Sequence, residues 1–127
     1  SRFLSTKYRV LFMFPQVLLL CQNSRLRRLY HHAAEGIECE VKPCSTVAEA
    51  LVQLVVSPAS VIIIEESVPI FEITVFLDVL VKKQEWNKAV LFIIGFEGRH
   101  HVFPMSARFC SGESQFVSLL KETCATL

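Results

Sequence analysis

The sequence predicts an α/β domain: a parallel five-stranded sheet with helices on both faces. Three observations carry this. The short continuous apolar runs Val17-Leu18-Leu19-Leu20, Val61-Ile62-Ile63-Ile64 and Val90-Leu91-Phe92-Ile93-Ile94 read as strands that meet water on neither face. Between them lie segments whose apolar residues recur at helical spacing. The alternation of the two patterns implies crossover connections, and therefore parallel strands.

Taken in order, Tyr8 to Phe14 looks strand-like and stops at Pro15, so residues 1–15 read as a linker, an arm or an extra edge strand, and residues 16–127 as the domain. The first buried run is followed by a helix capped by Asn23 or Ser24, with Leu26, Leu29, Tyr30 and Ala33 facing inward and Gly36 ending it. Ile37 to Val41 is the second strand, with Glu38 and Glu40 turned away from Ile37, Cys39 and Val41. Thr46 with Glu49 is a capping-box pair opening a helix whose stripe is Val47, Leu51, Leu54 and Val55. After the third strand, Ile70 to Lys83 forms a helix with Phe76, Leu77, Leu80 and Val81 buried and Lys82 and Lys83 at its negative end. Trp86 follows and reads equally as core or as a partial surface anchor. The fourth strand leads into residues 95–105, where two Gly and a Pro stand in place of the helix that is due, so this helix is expected to be shortened or missing. Ala107 to Cys110 is a short fifth strand, and Glu113 to Cys124 a last helix on Phe116, Val117, Leu119 and Leu120. Phe92, Phe96, Phe103, Phe109 and Phe116 are assigned mainly to the core.

Composition agrees with a compact domain. At 127 residues, 52% apolar and 20% charged, the chain can hide about two thirds of its unfolded surface without disulfide or metal staples. The mean hydropathy of +0.43 is high, yet Pro15 and Gln16 break the longest apolar stretch below the ~18–20 residues that span a bilayer. The excess belongs to buried strands or to a face covered by a partner.

Of twelve acidic residues only Asp78 is an aspartate, which excludes Asp-rich calcium loops and clustered-aspartate magnesium sites. A net charge of +1 gives little general attraction to nucleic acid or to an anionic membrane. Cys21, Cys39, Cys44, Cys110 and Cys124 form no CxxC or Cys/His pair at zinc spacing, so reduced thiols in a cytoplasmic protein are expected, with no metal and no cofactor. Ser1 to Phe14 lacks the layout of a signal peptide. Because Ser1 is not an initiator Met, the chain reads as a piece of a longer protein.

In parallel α/β sheets, sites form beyond the C-terminal strand ends, here Cys21, Glu65, Ile94 and Cys110. The run Val61-Ile62-Ile63-Ile64-Glu65-Glu66-Ser67-Val68-Pro69 resembles the third strand and following loop of the receiver domains of two-component response regulators. There four apolar residues lead to a phospho-accepting Asp and a Pro follows four positions later. The resemblance covers about residues 16–125 and implies a receiver-like, flavodoxin-like three-layer fold. It places Glu65 at the phospho-acceptor position, Cys21 and Gln22 at the magnesium-binding acidic pair, Ile94 at the hydroxyl-bearing switch position and Cys110 at the Lys position. Each departs from the family pattern. Without carboxylates for magnesium or a Lys to offset phosphoryl charge, transfer to Glu65 has no electrostatic support. The chain is therefore expected to be a pseudo-receiver, a non-catalytic module that regulates or dimerises a larger two-component protein. Its partner would be another protein, or a kinase or output domain of the same chain; direct nucleic-acid or membrane binding is not expected. Glu65 is either a solvated strand-end carboxylate or, one methylene longer than Asp, a mimic of the phosphorylated state.

A rival reading makes Cys21 a phosphate-accepting nucleophile in an enzyme or phosphocarrier, since it ends a strand before a helix N-terminus. Cys21 and Arg27 have the spacing found in low-molecular-weight tyrosine phosphatases, but Gln22-Asn23-Ser24-Arg25-Leu26 contains no Gly to wrap a phosphate. The candidate interaction surface comprises Arg25, Arg27 and Arg28 on the first helix with His100, His101 and Phe103 of the fourth loop. His31-His32 and His100-His101 are not ready chelates, because neighbours on a helix point about 100° apart.

Overall fold

The computed structural model describes residues 14–127. Its elements are β1 (Gln16–Leu20), α1 (Ser24–Ala33), a 3₁₀ turn (Ala34–Gly36), β2 (Glu40–Cys44), α2 (Val47–Val56), β3 (Val61–Glu65), α3 (Ile70–Lys82), β4 (Val90–Ile94), a second 3₁₀ turn (His100–Val102), β5 (Arg108–Cys110) and α4 (Glu113–Ala125). The five strands form one parallel sheet in the order β2-β1-β3-β4-β5. The strand-like reading of Tyr8 to Phe14 falls almost wholly outside the described residues.

The continuous apolar runs are explained by two cores. Leu18, Leu20, Ile62, Ile64 and Ile93 point to one face and pack under Ala50 and Leu54 of α2 and Ile73, Phe76 and Leu80 of α3. Val17, Leu19, Ile63, Phe92 and Ile94 point to the other and meet Tyr30 of α1 and Phe116 and Leu120 of α4. Successive residues of a strand face opposite ways, so a strand covered twice must be apolar throughout. Phe116 joins three elements, with edge-on ring contacts to Tyr30 at 4.9 Å and to Phe92 at 5.9 Å.

Several expectations are corrected. The second strand occupies Glu40–Cys44, not Ile37 to Val41. Pairing decides this: Glu40 lies opposite Gln16, where β1 begins, and residues 37–39 precede any partner. Pro43 is tolerated because β2 is an edge. The Glu40 N–H donates to Pro15 O and Cys44 O accepts from Cys21 N–H, so even-numbered residues face β1 and the position of Pro43 faces the open side. Val55 and Val81 are exposed, and Leu29 and Val117 are at the margin of exposure. The inward lines are Ala50 and Leu54 on α2, and Ile73, Phe76 and Leu80 on α3, rotated slightly from the predicted stripes. Of the two readings of Trp86 the core one holds, since it is buried in the α3–β4 connection.

Helix starts follow the predicted chemistry. Asn23 Oδ1 accepts from Leu26 N–H at 2.9 Å, and Thr46 Oγ1 accepts from Glu49 N–H at 3.1 Å. The return bond of the capping box shifts by one residue, since Glu49 accepts from Ser45 Oγ–H at 2.7 Å and Ser45 N–H at 3.3 Å. Between β4 and β5 no α-helix forms. Phe96 and Phe103, with ring centroids 5.1 Å apart, plug the core there instead.

Replacement of Phe116 by Ala is predicted to lower unfolding free energy by about 3–5 kcal/mol, because the void opens between a helix and two other elements that cannot close on it. Urea denaturation of the two proteins measures this, with an unchanged denaturant slope as the sign that only stability has moved.

Candidate functional site

Leu20 and Ile64 lie side by side in the sheet, so Cys21 and Glu65 emerge together at its C-terminal edge. Glu65 is 1% exposed, and the reading of a solvated strand-end carboxylate is overturned. Its side chain turns back onto its own loop, where Ser67 N–H donates to both oxygens, at 2.7 Å and 3.0 Å. The Cys21 thiol lies 3.6 Å from Glu65 Oε1 and donates to it. Ser67 ties the two loops together, since its Oγ accepts from Asn23 N–H at 2.9 Å while Asn23 caps α1. A buried carboxylate survives only if its acceptors are filled, and here backbone and thiol fill them. None of the three ion pairs among the described residues includes Glu65.

Ile94 and Cys110 are buried beside this pair, and Gln22 is exposed. They bring to the edge neither a hydroxyl, an ammonium nor a second carboxylate. Among the described residues no cluster of three or more His, Cys, Asp or Glu side chains is arranged to hold a metal.

Burial, with the Glu65 charge second, pushes the Cys21 thiol up to about 11. This is the opposite of the depressed value a thiolate nucleophile needs. Arg27 is also committed: its Nη1 donates to Cys21 O at 2.9 Å and Gln22 O at 3.3 Å, so the guanidinium fastens the loop carbonyls.

Of the predicted interaction surface, Arg25, Arg28 and His101 are exposed, whereas Arg27 is half-buried on the loop. His100 places Nε2 3.0 Å from Gly95 O and stacks on Phe109 with centroids 4.0 Å apart. Phe103 is buried and belongs to the core, which removes it from any surface.

Glu66, Gly95 and Phe96, to which the sequence reading gave no part in the site, complete the edge. Glu66 Oε2 accepts from Phe96 N–H at 3.1 Å, and Glu66 N–H donates to Ile94 O at 3.1 Å. Gly95 has φ +86°, and a Cβ there would sit 2.5 Å from Glu66 Cδ. Phe96 holds φ +62°, a backbone conformation that bulky residues avoid, and burial of its ring with the bond to Glu66 keeps it there. The sequence signal for this turn was Gly95 directly after an apolar strand; nothing marked Glu66 as its partner.

No family model matches the sequence, and no curated protein matches it. The fold, by contrast, is similar to solved receiver structures. A chemotaxis response regulator of Vibrio cholerae superposes with a TM-score of 0.71 at 14% identity, over 87% of this chain and 99% of that one. A sensor protein from Polaromonas gives 0.74 at 13% identity, over 88% and 97%. A response regulator receiver modulated diguanylate cyclase from Pelobacter carbinolicus gives 0.69 at 12% identity, over 89% and 94%. The chain therefore has the flavodoxin-like receiver fold.

Two predictions follow from the geometry of the edge. Gly95→Ala should destabilise the domain by about 1–3 kcal/mol through φ and the Glu66 contact together. Adding Glu66→Ala should recover only the contact share, read as a non-zero coupling in a double-mutant cycle of denaturation midpoints. The second prediction concerns pH. Burial first raises the thiols of Cys21, Cys39 and Cys44 from 9.0 to about 11, 12 and 11. Folding thus holds protons that the unfolded chain loses. Stability from this source is complete below pH 9 and is lost as pH rises through 11–12. Cys21→Ser should remove about one proton's worth of that slope near pH 10, measured by thermal unfolding across pH.

Proposed function

We propose that the chain is a receiver-fold signalling module that works by contact with a protein partner or a neighbouring domain, and not by phosphoryl transfer. The observation that carries this reading is Glu65. At the acceptor position stands a buried carboxylate whose oxygens already accept from Ser67 N–H and the Cys21 thiol. A phosphoryl group in flight needs its equatorial charge offset and its acceptor oxygen presented in line. Here the acceptor is turned away, and Cys21, Gln22, Ile94 and Cys110 supply no compensating charge.

Glu65 then acts as a permanent tie. It fixes the β3–α3 loop through Ser67 and, through Asn23, the start of α1. A domain held in one arrangement can serve as a docking or dimerising unit without a covalent switch. Support for a contact role comes from the outer faces of α2 and α3, where Val52, Val55, Val56, Phe71 and Val75 are exposed, Phe71 at 78%. An apolar set of this kind is characteristic of surfaces covered by a partner. Exposed Arg25, Arg28 and His101 are polar contact points elsewhere on the domain. In the Pelobacter protein a receiver is described as modulating a diguanylate cyclase, and an output domain of the same chain is the proposed setting here too. The rival reading of Cys21 as a nucleophile is not favoured, because its thiol is buried and raised, and Arg27 is occupied by loop carbonyls.

Beryllofluoride with magnesium tests the proposal, since it reports a competent phospho-acceptor site. Amide resonances of Ser67, Gly95 and Ser111 should stay in place at millimolar reagent. Saturable shifts centred on these loops would defeat the contact-only reading.

A further inference from the structure

The connection between β4 and β5 lacks the helix that usually covers a parallel crossover, and its place is only partly filled. Phe96 and Phe103 plug the core, yet a groove stays open beside α3 near the N-terminal end of β4. Its lining includes Leu77, Leu80 and Val81 of α3, Trp86 ahead of β4, Leu91 within β4, and Pro104 of the loop before β5. The cavity of about 230 Å³ is smaller than the ~300–1,000 Å³ of most small-molecule sites, and suits one or two apolar side chains of a partner.

Two features set this groove apart from an ordinary apolar surface. Trp86 is buried, but among the described residues nothing accepts from its indole N–H; since no buried side-chain nitrogen or oxygen there is left unpaired, this N–H reaches solvent. A donor on an apolar wall asks for an acceptor. The charge beside the groove is also one-sided. Lys82, Lys83, Glu85 and Lys88 are exposed around the connection from α3 to β4. Asp78 holds Lys82 at 2.9 Å, whereas Lys83 and Lys88 make no ion pair among the described residues, Lys83 Nζ lying 5.9 Å from the Trp86 ring centroid. Against Glu85 they leave an excess of positive charge.

We propose that this groove docks an acidic amphipathic helix of a protein partner. Its apolar anchors would enter beside Trp86 and Leu91, its carboxylates would meet Lys83 and Lys88, and one of its acceptors would take the indole N–H. A helix suits the place because α2 and α3 close the rest of this face in the same way, and helix-in-groove docking uses apolar anchors on one helical stripe. Residues 1–13 are not the complement, since Arg2, Lys7 and Arg9 make them basic without a single acid. A second copy presenting the same groove would bring like charges together. The proposal rests on the contact reading above and names one partner chemistry for it, toward the strand ends opposite Glu65.

Trp86 is the single tryptophan, so its indole resonance and emission report on this groove alone. The probe is a synthetic helix of about 15 residues with Leu at i, i+3, i+4 and i+7 and Glu on the other face; its control carries Lys for Glu. Added to the full chain, the Glu peptide should move the indole N–H resonance downfield in a saturable way and shift the emission to the blue. The Lys peptide should bind at least about tenfold more weakly. Replacing the two exposed lysines together, Lys83→Glu with Lys88→Glu, should reverse that order, with circular dichroism confirming an unchanged fold. Absence of a saturable shift at millimolar peptide, equal binding of both peptides, or a response indifferent to the charge reversal would overturn the proposal. So would an indole resonance that moves with protein concentration alone, which assigns the groove to a second copy, or with anionic vesicles and not with peptide. Failure here leaves the beryllofluoride result standing, because Ser67, Gly95 and Ser111 lie at the other edge of the sheet.

Discussion

A carboxylate sealed from water at the end of the central strand must have its acceptors filled from within the protein, and the loops at this edge of the sheet are arranged around that demand. Leaving a buried charged acceptor unfilled would cost several kcal/mol. Ser67 meets it by presenting one N–H to both Glu65 oxygens, which requires the chain to turn immediately after β3. The same turn carries Ser67 Oγ to Asn23 N–H and leaves Glu66 aimed at the β4–β5 loop. Three loops are thus positioned by one side chain and its two successors.

The same arrangement underlies the proposed contact role. An acceptor poised for phosphoryl transfer keeps an oxygen free and surrounds it with positive charge. Glu65 has the reverse: its oxygens are engaged, and the nearest polar neighbours are a neutral thiol and a backbone amide. The length of the Glu side chain is what allows this. The extra methylene lets the carboxylate fold back to the amide two residues on. Arg27 of α1 has its guanidinium on the carbonyls of Cys21 and Gln22.

How much of this was legible in the sequence follows from the range of the forces involved. Strand identity was plain because double burial writes itself as continuous apolar runs, and the caps at Asn23 and Thr46 were plain because they act over three residues. The alternation of strands and helices and the lost helix were also readable, the latter from Gly95, Gly98 and Pro104, whereas the order of strands in the sheet was not read. Misreadings arose where a non-local partner decides. β2 begins at Glu40 because β1 begins at Gln16, a fact residues 37–41 do not contain. Val81 and Val55 are apolar yet exposed, since helical spacing leaves two or three registers equally plausible until the sheet selects one. Glu65 looked solvated because nothing in its neighbourhood announces that Ser67 N–H will face it. Phe103 could not be assigned to surface or core before Phe96 was placed beside it.

The segment replacing a helix between β4 and β5 shows how the edge reaches the rest of the domain. A helix there would bury the sheet by its side chains alone and leave the strand-end turn free to choose its conformation. Here Phe96 must be buried while its backbone sits at φ +62°, and Gly95 must sit close enough to Glu66 to exclude any side chain. The loop is therefore held from both sides, by the Glu66 carboxylate on Phe96 N–H and by His100 on Gly95 O. His100 in turn lies flat on Phe109 of β5, and Phe103 meets the same ring at 6.1 Å. A displacement of Glu66 could not be absorbed locally, because relaxing Phe96 would lift it from the core and unseat the His100 to Phe109 stack. The strained aromatic plug that stands between β4 and β5 thus makes the strand-end loops and the β5 edge one mechanical unit, as the proposed contact role requires.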